Sequence, residues 1–353
     1  MSNFLVLGPG CGGNFWVNPN IVISTGVLNV LQPTTISVRI TNNSGERVRL
    51  NSVQATVCAW NTTHGFNSAS ILPSLQSGNG LTWDNVFPFP NDVVIPPGGT
   101  ATISLPSWTP QASDIHHFDN VPGAAFENIT KTNLHACIFA NCSGSWPPVQ
   151  TGQVTDDGAL VTWSSAVVGN FCADTHHGQH NTSLHRLANQ RSITIPFYAG
   201  LAGEFEGGSA EIFLREIVFD PIADPALMDI IQRAGFGALP LQPAPLPARV
   251  AGLARFRSVL ERVGEKVEEV ADEVKEGIEH LLGNKPYEDD EDDLQALQSV
   301  LTLGLNANEL HPLLLKVAVD KDDPVGAIHV FDVVQANSDG TRGGFRLATI
   351  NAP

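Results

Sequence analysis

The sequence predicts a mainly β protein with two β-sandwich domains, the second of which is interrupted by an inserted α-helical segment. The chain has 353 residues, which is long for one domain and sufficient for two. Only 16% of the residues are charged, and 32 glycines and 24 prolines favour short strands joined by turns over a helical bundle. Several segments also alternate apolar and polar residues with a period of two, which is typical of half-buried strands.

The net charge and the hydropathy pattern exclude several classes of partner. A formal charge of −17 disfavours nucleic acid and anionic membrane surfaces, because both attract Lys and Arg. Apolar runs stay far below the roughly 20 residues that span a bilayer, so we expect no membrane insertion. The N-terminus shows no standard signal peptide, which predicts a cytoplasmic protein or one exported by a non-classical route.

Residues 1–14 are predicted to form an N-terminal arm, and residues 15–191 the first domain. Within this domain, TISVRITNN at 35–43 and NSVQATVCAW at 51–60 alternate like antiparallel strands. The segments 134–140 and 182–195 are predicted to form a further strand pair. The region between them is rich in Gly, Ser and Pro around residues 144–158, which indicates a surface loop.

Two short motifs in this domain carry a resemblance to a known family. His135, Cys137 and Ala140 fit a strand pattern H-x-C-x-x-A, and residues 178–181 (GQHN) fit a small-Gln-x-Asn pattern in a closing strand. Residues 15–200 thereby resemble bacterial immunoglobulin-like modules of the cell-adhesion-related and fibronectin-like kind. The resemblance implies tandem immunoglobulin-like sandwiches and names no ligand.

The second domain is predicted to span residues 192–353. Its strands include ITIPFYAG at 193–200 and AIHVFDVVQAN at 327–337, and the turn at 337–340 (NSDG) joins two alternating runs. PALMDIIQR at 225–233 is a candidate short helix, followed by a Pro-rich linker at 239–247.

A charged helix and an acidic loop at 249–293 are predicted to interrupt this second domain. Apolar residues recur there at alternating spacings of three and four, the a/d stripe of a coiled coil. The stripe consists of Leu253, Phe256, Leu260, Val263, Val267, Val270, Val274 and Leu281. Such a helix either covers the sheet of its own domain or docks on a helix of another copy or another protein.

Histidines cluster in the first domain and form a candidate metal site. Asp174, His176, His177 and His180 lie within seven residues, and imidazole nitrogens with a carboxylate are a valid zinc set. Gly178 argues against a helix that would present His176 and His180 on one face, and the zinc motif H-E-x-x-H is absent. The alternative is that these histidines are structural. A calcium site is a further hypothesis, at the acidic tract 288–293 or at residues 320–323 (DKDD).

The sequence therefore favours a non-enzymatic structural or interaction protein that self-assembles or is adhesive, with no cofactor. One alternative is a zinc-dependent hydrolase that uses the histidine segment. The other is a carbohydrate-binding module, which five tryptophans in or near predicted loops would serve. They are Trp60, Trp83, Trp108, Trp146 and Trp163.

Overall fold

The fold is mainly β, with several antiparallel sheets and two short α-helices among the residues described. The computed structural model describes residues 5–8, 15–59, 66–67, 71–75, 80–85, 92–115, 136–145, 156–157, 167–168, 175–187, 192–200, 208–245, 249–255, 298–305, 310–320, 322–337 and 340–353.

The N-terminal part contains twelve described strands and one described helix. They are β1 Leu5–Val6, β2 Ile21–Ile23, β3 Ile36–Asn42, β4 Val48–Ala59, β5 Phe66–Asn67, β6 Leu81–Asp84, β7 Val94–Ile95, β8 Thr100–Ser104, α1 Ala112–Ile115, β9 Ala136–Ser145, β10 Asp156–Asp157, β11 Val167–Val168 and β12 His177–His180. In one sheet β3 pairs with β1, β2 and β8, and in a second sheet β4 and β9 form the centre. These pairings are antiparallel, as a sandwich requires.

The alternation in this part predicts its strands correctly. Ile36, Val38 and Ile40 of β3 are buried, whereas Arg39 between them is exposed. β4 is longer and loses the alternation toward its end, where consecutive residues are buried. A strand covered on both faces no longer needs polar residues at every second position.

The C-terminal part contains nine described strands and a second helix. They are β13 Thr182–Arg186, β14 Ser192–Gly200, β15 Gly208–Ile217, α2 Pro225–Arg233, β16 Gln242–Pro243, β17 Arg249–Arg255, β18 Gln298–Leu305, β19 Leu310–Ala318, β20 Ala327–Asn337 and β21 Gly340–Ile350. One sheet has the order β13-β21-β20-β15-β18, and another the order β14-β19-β17. The predicted turn at 337–340 is confirmed, because Asn337 faces Gly340 where β20 and β21 meet.

The short helix predicted at 225–233 is confirmed as α2. The side chain of Asp224 caps its first turn by accepting a hydrogen bond from the backbone N–H of Leu227 (3.0 Å). Leu227, Ile230 and Ile231 are buried on one face against strands of the C-terminal sheet. No helix in the described part of the chain is long and apolar enough to cross a membrane.

The strand pair predicted between 134–140 and 182–195 is wrong. β9 pairs instead with β12, with Gly178 opposite Ala140, and β13 pairs in parallel with β21. β13 precedes residue 192, the predicted start of the second domain, yet it belongs to the C-terminal sheet. β12 and β13 are both short extended segments, and their local sequence does not distinguish which one pairs with β9. The three-dimensional arrangement decides this pairing.

The helix predicted from Arg249 is wrong for its first seven residues. Arg249–Arg255 form strand β17, which pairs antiparallel with β19 and places Leu253 opposite Leu315. Pairing with the edge of β19 outweighs helix propensity, which is only a weak preference over so few residues. The other stripe positions, from Phe256 to Leu281, and the acidic tract lie outside the described residues.

The buried apolar residues connect both parts of the chain. One cluster includes Ile36 and Phe139 from the N-terminal part together with Phe197 and Phe345 from the C-terminal part. The rings of Phe197 and Phe345 meet edge to face, with centroids 5.2 Å apart. The two parts are therefore packed on a shared core, and the division into two immunoglobulin-like domains remains a prediction.

Candidate functional site

The histidine segment lies on a strand that crosses from one sheet to another. β12 runs along β9, and after Asn181 the chain continues as β13 along β21. Successive side chains of a strand point to opposite faces, so His177 and His180 of β12 face apart. The rise of about 3.3 Å per residue also separates their Cα atoms by about 10 Å.

This geometry separates His177 from His180, two of the four predicted zinc ligands. Within the described ranges, no three His, Cys, Asp or Glu side chains are grouped so that they could hold a metal ion. Asp174 lies outside the described residues. His176 is buried, and its carbonyl accepts a hydrogen bond from the backbone N–H of Cys142 (3.0 Å).

His180 is held in one tautomer by the backbone. Its side chain is buried, and Nδ1 lies 3.0 Å from the carbonyl oxygen of Asn18. A carbonyl only accepts, so Nδ1 carries the proton and Nε2 of the neutral ring is an acceptor. Burial lowers the pKa of His180 below its ordinary value of 6.5, against the smaller opposing effect of the Asn18 hydrogen bond.

The small-Gln-x-Asn motif begins at Gly178, and the packing around this position explains why the residue is small. A Cβ at this position would overlap Cδ2 of Leu7 and lie 2.5 Å from Nδ2 of Asn18. Nδ2 of Asn18 in turn donates to the carbonyl of Leu7 (3.1 Å), so the N-terminal segment closes directly over β12.

Asn181 explains the last position of the same motif. Its backbone N–H donates to Trp16 O (2.7 Å), and its carbonyl accepts from the N–H of Arg346 (2.7 Å). Its side-chain amide donates to Gly344 O (2.9 Å). One residue thus links the N-terminal segment, the crossing strand and β21.

A cavity of about 220 Å³ lies beside His180, between β2 and the first turns of α2. Apolar side chains line most of it, among them Ile21, Ile23, Ala226 and Ile230. Sequence reasoning missed this cavity, since it forms only when α2 packs against a strand that lies about two hundred residues earlier in the chain.

A buried ion-pair network lies in the C-terminal sheet. Arg346 donates to both carboxylate oxygens of Asp332, from Nε (2.7 Å) and Nη2 (3.0 Å), and Asp332 is fully buried. Arg215 reaches the same carboxylate (2.8 Å), and Nη1 of Arg346 reaches Asp224 (2.7 Å). Burial lowers the pKa of Arg346, but the two carboxylates outweigh that effect and raise it.

A second buried polar group is centred on His329. Its Nε2 lies 2.8 Å from Asp323 Oδ2, and its Nδ1 lies 3.1 Å from Glu216 Oε1. Burial lowers the pKa of His329, but the hydrogen bonds and charges of the two carboxylates outweigh this and raise it above 6.5. The ring also stacks on Phe331, with centroids 6.0 Å apart. Through these contacts His329 of β20 links Glu216 of β15 to Asp323, which precedes β20 in the chain.

The structure describes two of the five tryptophans that would serve a carbohydrate-binding module. Trp108 is buried, and its Nε1 donates to Ser74 Oγ (3.0 Å), whereas Trp83 is half-buried against the core. Trp60, Trp146 and Trp163 lie outside the described residues.

Comparison with known proteins yields no family. No family model matches the chain, and no curated protein matches it. Two solved structures are similar over nearly their whole length at 8% identity and a TM-score of 0.20. One is the collagen adhesin (CNA) from S. aureus, for which the match covers 94% of this chain and 91% of that one. The other is the CupB6 tip adhesin from Pseudomonas aeruginosa, with 99% and 97% covered. Similarity at this level does not establish a shared fold.

Proposed function

We propose that this chain is a non-enzymatic structural or interaction protein that assembles with other copies of itself or binds another protein. The observation that supports this proposal is the use of buried charged groups. Asp332 lies between Arg346 and Arg215, and His329 lies between Asp323 and Glu216. Catalytic charged groups face a substrate cleft, whereas each of these described groups holds neighbouring strands together.

The proposed contact element is the insertion between β17 and β18. The stripe from Phe256 to Leu281 repeats over about four heptads and is narrower than the face of a helix that packs on a core. Leu253, the first residue of the predicted stripe, is excluded from the proposed contact element because it belongs to strand β17. We propose that the stripe docks on a helix of a second copy or of a partner protein.

The test compares the mass in solution of the intact chain with that of two altered chains. In the first, residues 256–293 are replaced by a Gly/Ser linker, so that β17 and β18 keep their places in the sheets. In the second, Val263, Val267 and Val270 are changed to Ser. Light scattering during size-exclusion chromatography should show an assembly for the intact chain and a monomer for both variants.

A matched control changes three polar residues of the same segment, Glu265, Glu268 and Glu269, to Ser. This control should assemble like the intact chain, because it leaves the apolar stripe unchanged. If the intact protein is a monomer and captures no helical partner through the stripe, the proposed contact element is wrong.

A further inference from the structure

The cavity beside His180 has the size and the lining of a small-molecule site. Its volume is about 220 Å³, and side chains of β2 and α2 supply an apolar wall that includes Ile21, Ile23 and Ile230. An enclosed apolar cavity of about 150 Å³ in another protein binds benzene, and the present cavity, which is partly open to solvent, offers comparable space. A single aromatic ring therefore fits here with space for one substituent.

His180 adds one directed polar group to this apolar wall. The residue is 4% exposed and lines the cavity, and its Nδ1 is committed to Asn18 O. Among the described residues, Nε2 has no hydrogen-bond partner, and it lies on the ring edge away from Nδ1. An accessible acceptor next to an apolar space favours a ligand that brings one hydrogen-bond donor.

The rim of the cavity selects the charge of the ligand. Asp229 lines it, and its carboxylate pairs with Arg233 at 2.6 Å. Arg233 is thereby already paired, and the described residues that line the cavity include no Lys or Arg to hold an anionic ligand, so a neutral hydroxyl suits the site better than a carboxylate does.

We propose that this cavity binds a small neutral aromatic alcohol of the phenol class, with the ring between β2 and α2 and the hydroxyl donating to Nε2 of His180. Neither the histidine motif nor the helix alone predicts such a site, because it needs both.

The experiment titrates the full-length protein, labelled with ¹⁵N at histidine, with phenol, toluene and benzoate. Phenol should bind saturably and shift the Nε2 resonance of His180. Toluene should bind about two- to ten-fold more weakly, the factor expected for one hydrogen bond, without that shift. Benzoate should bind more weakly than phenol.

Ala226→Leu tests the location, because Ala226 is half-buried on the cavity wall and Leu would fill the space while suiting the helix. Ala223→Leu is the matched control, since Ala223 is exposed one residue before the helix cap. Ala226→Leu should abolish phenol binding, and Ala223→Leu should retain it.

Phenol binding of equal strength in both variants, or saturation without any change at His180, would overturn the assignment. So would equal affinity for phenol and toluene in the unaltered chain, a comparison that needs no variant to fold. None of these results bears on self-association, so this inference and the proposed function fail separately.

Discussion

At the scale of the residue, Gly178 shows how a motif position follows from packing. The neighbouring chain passes so close that any side chain would displace Leu7 or Asn18. Gly178→Ala should therefore lower the free energy of unfolding by about 1–3 kcal/mol, the usual result of overfilling a packed interior. Urea unfolding followed by circular dichroism measures the change.

Gly45 provides the control for this substitution, because a Cβ there would meet nothing within 4 Å. Gly45→Ala should leave the unfolding midpoint within the small range of ordinary surface changes. Equal effects at the two glycines would mean that lost backbone freedom, and not the approach of Leu7, determines the outcome.

His329 gives the protein a specific pH dependence. Its folded pKa is raised above 6.5 by Glu216 and Asp323, so the native state binds a proton more tightly than the unfolded chain does. The resulting stabilisation is fully present below pH 6.5, the ordinary value, and is lost as the pH rises through the folded pKa. The urea midpoint should fall over this interval.

His329→Gln removes the titrating group from this site and should flatten the dependence. The comparison is between the slopes of stability against pH for the two proteins, so a general loss of stability in the variant does not obscure it. An unchanged slope would mean that His329 does not titrate in this range.

At the scale of the element, the chain between β16 and β18 shows where local pattern stops being informative. α2 is predictable because its cap, its first proline and its apolar face are all local features. β17 is not, since the residues around Leu253 fit the start of a heptad stripe and also fit a strand beside β19. The cavity beside His180 is likewise invisible in sequence, because its walls come from distant segments.

The contribution to stability of a buried ion pair between strands can be measured and compared with that of an ion pair on the surface. Asp332 of β20 binds Arg346 of β21 and Arg215 of β15, and it is fully buried. Asp332→Asn keeps the shape but removes the buried charge that Arg215 and Arg346 share, although Asp224 still pairs with Arg346, and this should cost about 3–5 kcal/mol. Thermal or urea unfolding measures this loss.

Asp92→Asn is the surface counterpart. Arg49 and Asp92 also lie 2.7 Å apart, but their side chains are 20% and 31% exposed. Removing this charge should change stability by about 0–1 kcal/mol. A similar effect at both sites would show that the buried network contributes no more than an exposed pair.

At the scale of the whole molecule, the N-terminal and C-terminal parts are joined by the segment that runs from β12 through Asn181 into β13. β12 is paired with β9, β13 is paired with β21, and Asn181 between them holds Trp16 and Gly344. Trp16 itself is buried in a small cluster with Val334 of β20. Opening either part would expose surface that the other part covers.

We therefore expect one cooperative unfolding transition for both parts. In hydrogen exchange measured by mass spectrometry, the slowest amides of β9 and β21 should open with the same free energy and the same urea dependence.

Asn181→Ala tests this coupling, because it removes the hydrogen bond to the carbonyl of Gly344. The variant should lower the opening free energies of β9 and β21 together, by about 1–3 kcal/mol. Asn29 serves as the control position, because it is half-buried and its side-chain amide donates in an exposed, local hydrogen bond to Gln32. If β9 and β21 exchange with clearly different energies, the crossing strand does not couple the two parts, and the tandem-domain organisation predicted from the sequence becomes the better account of stability.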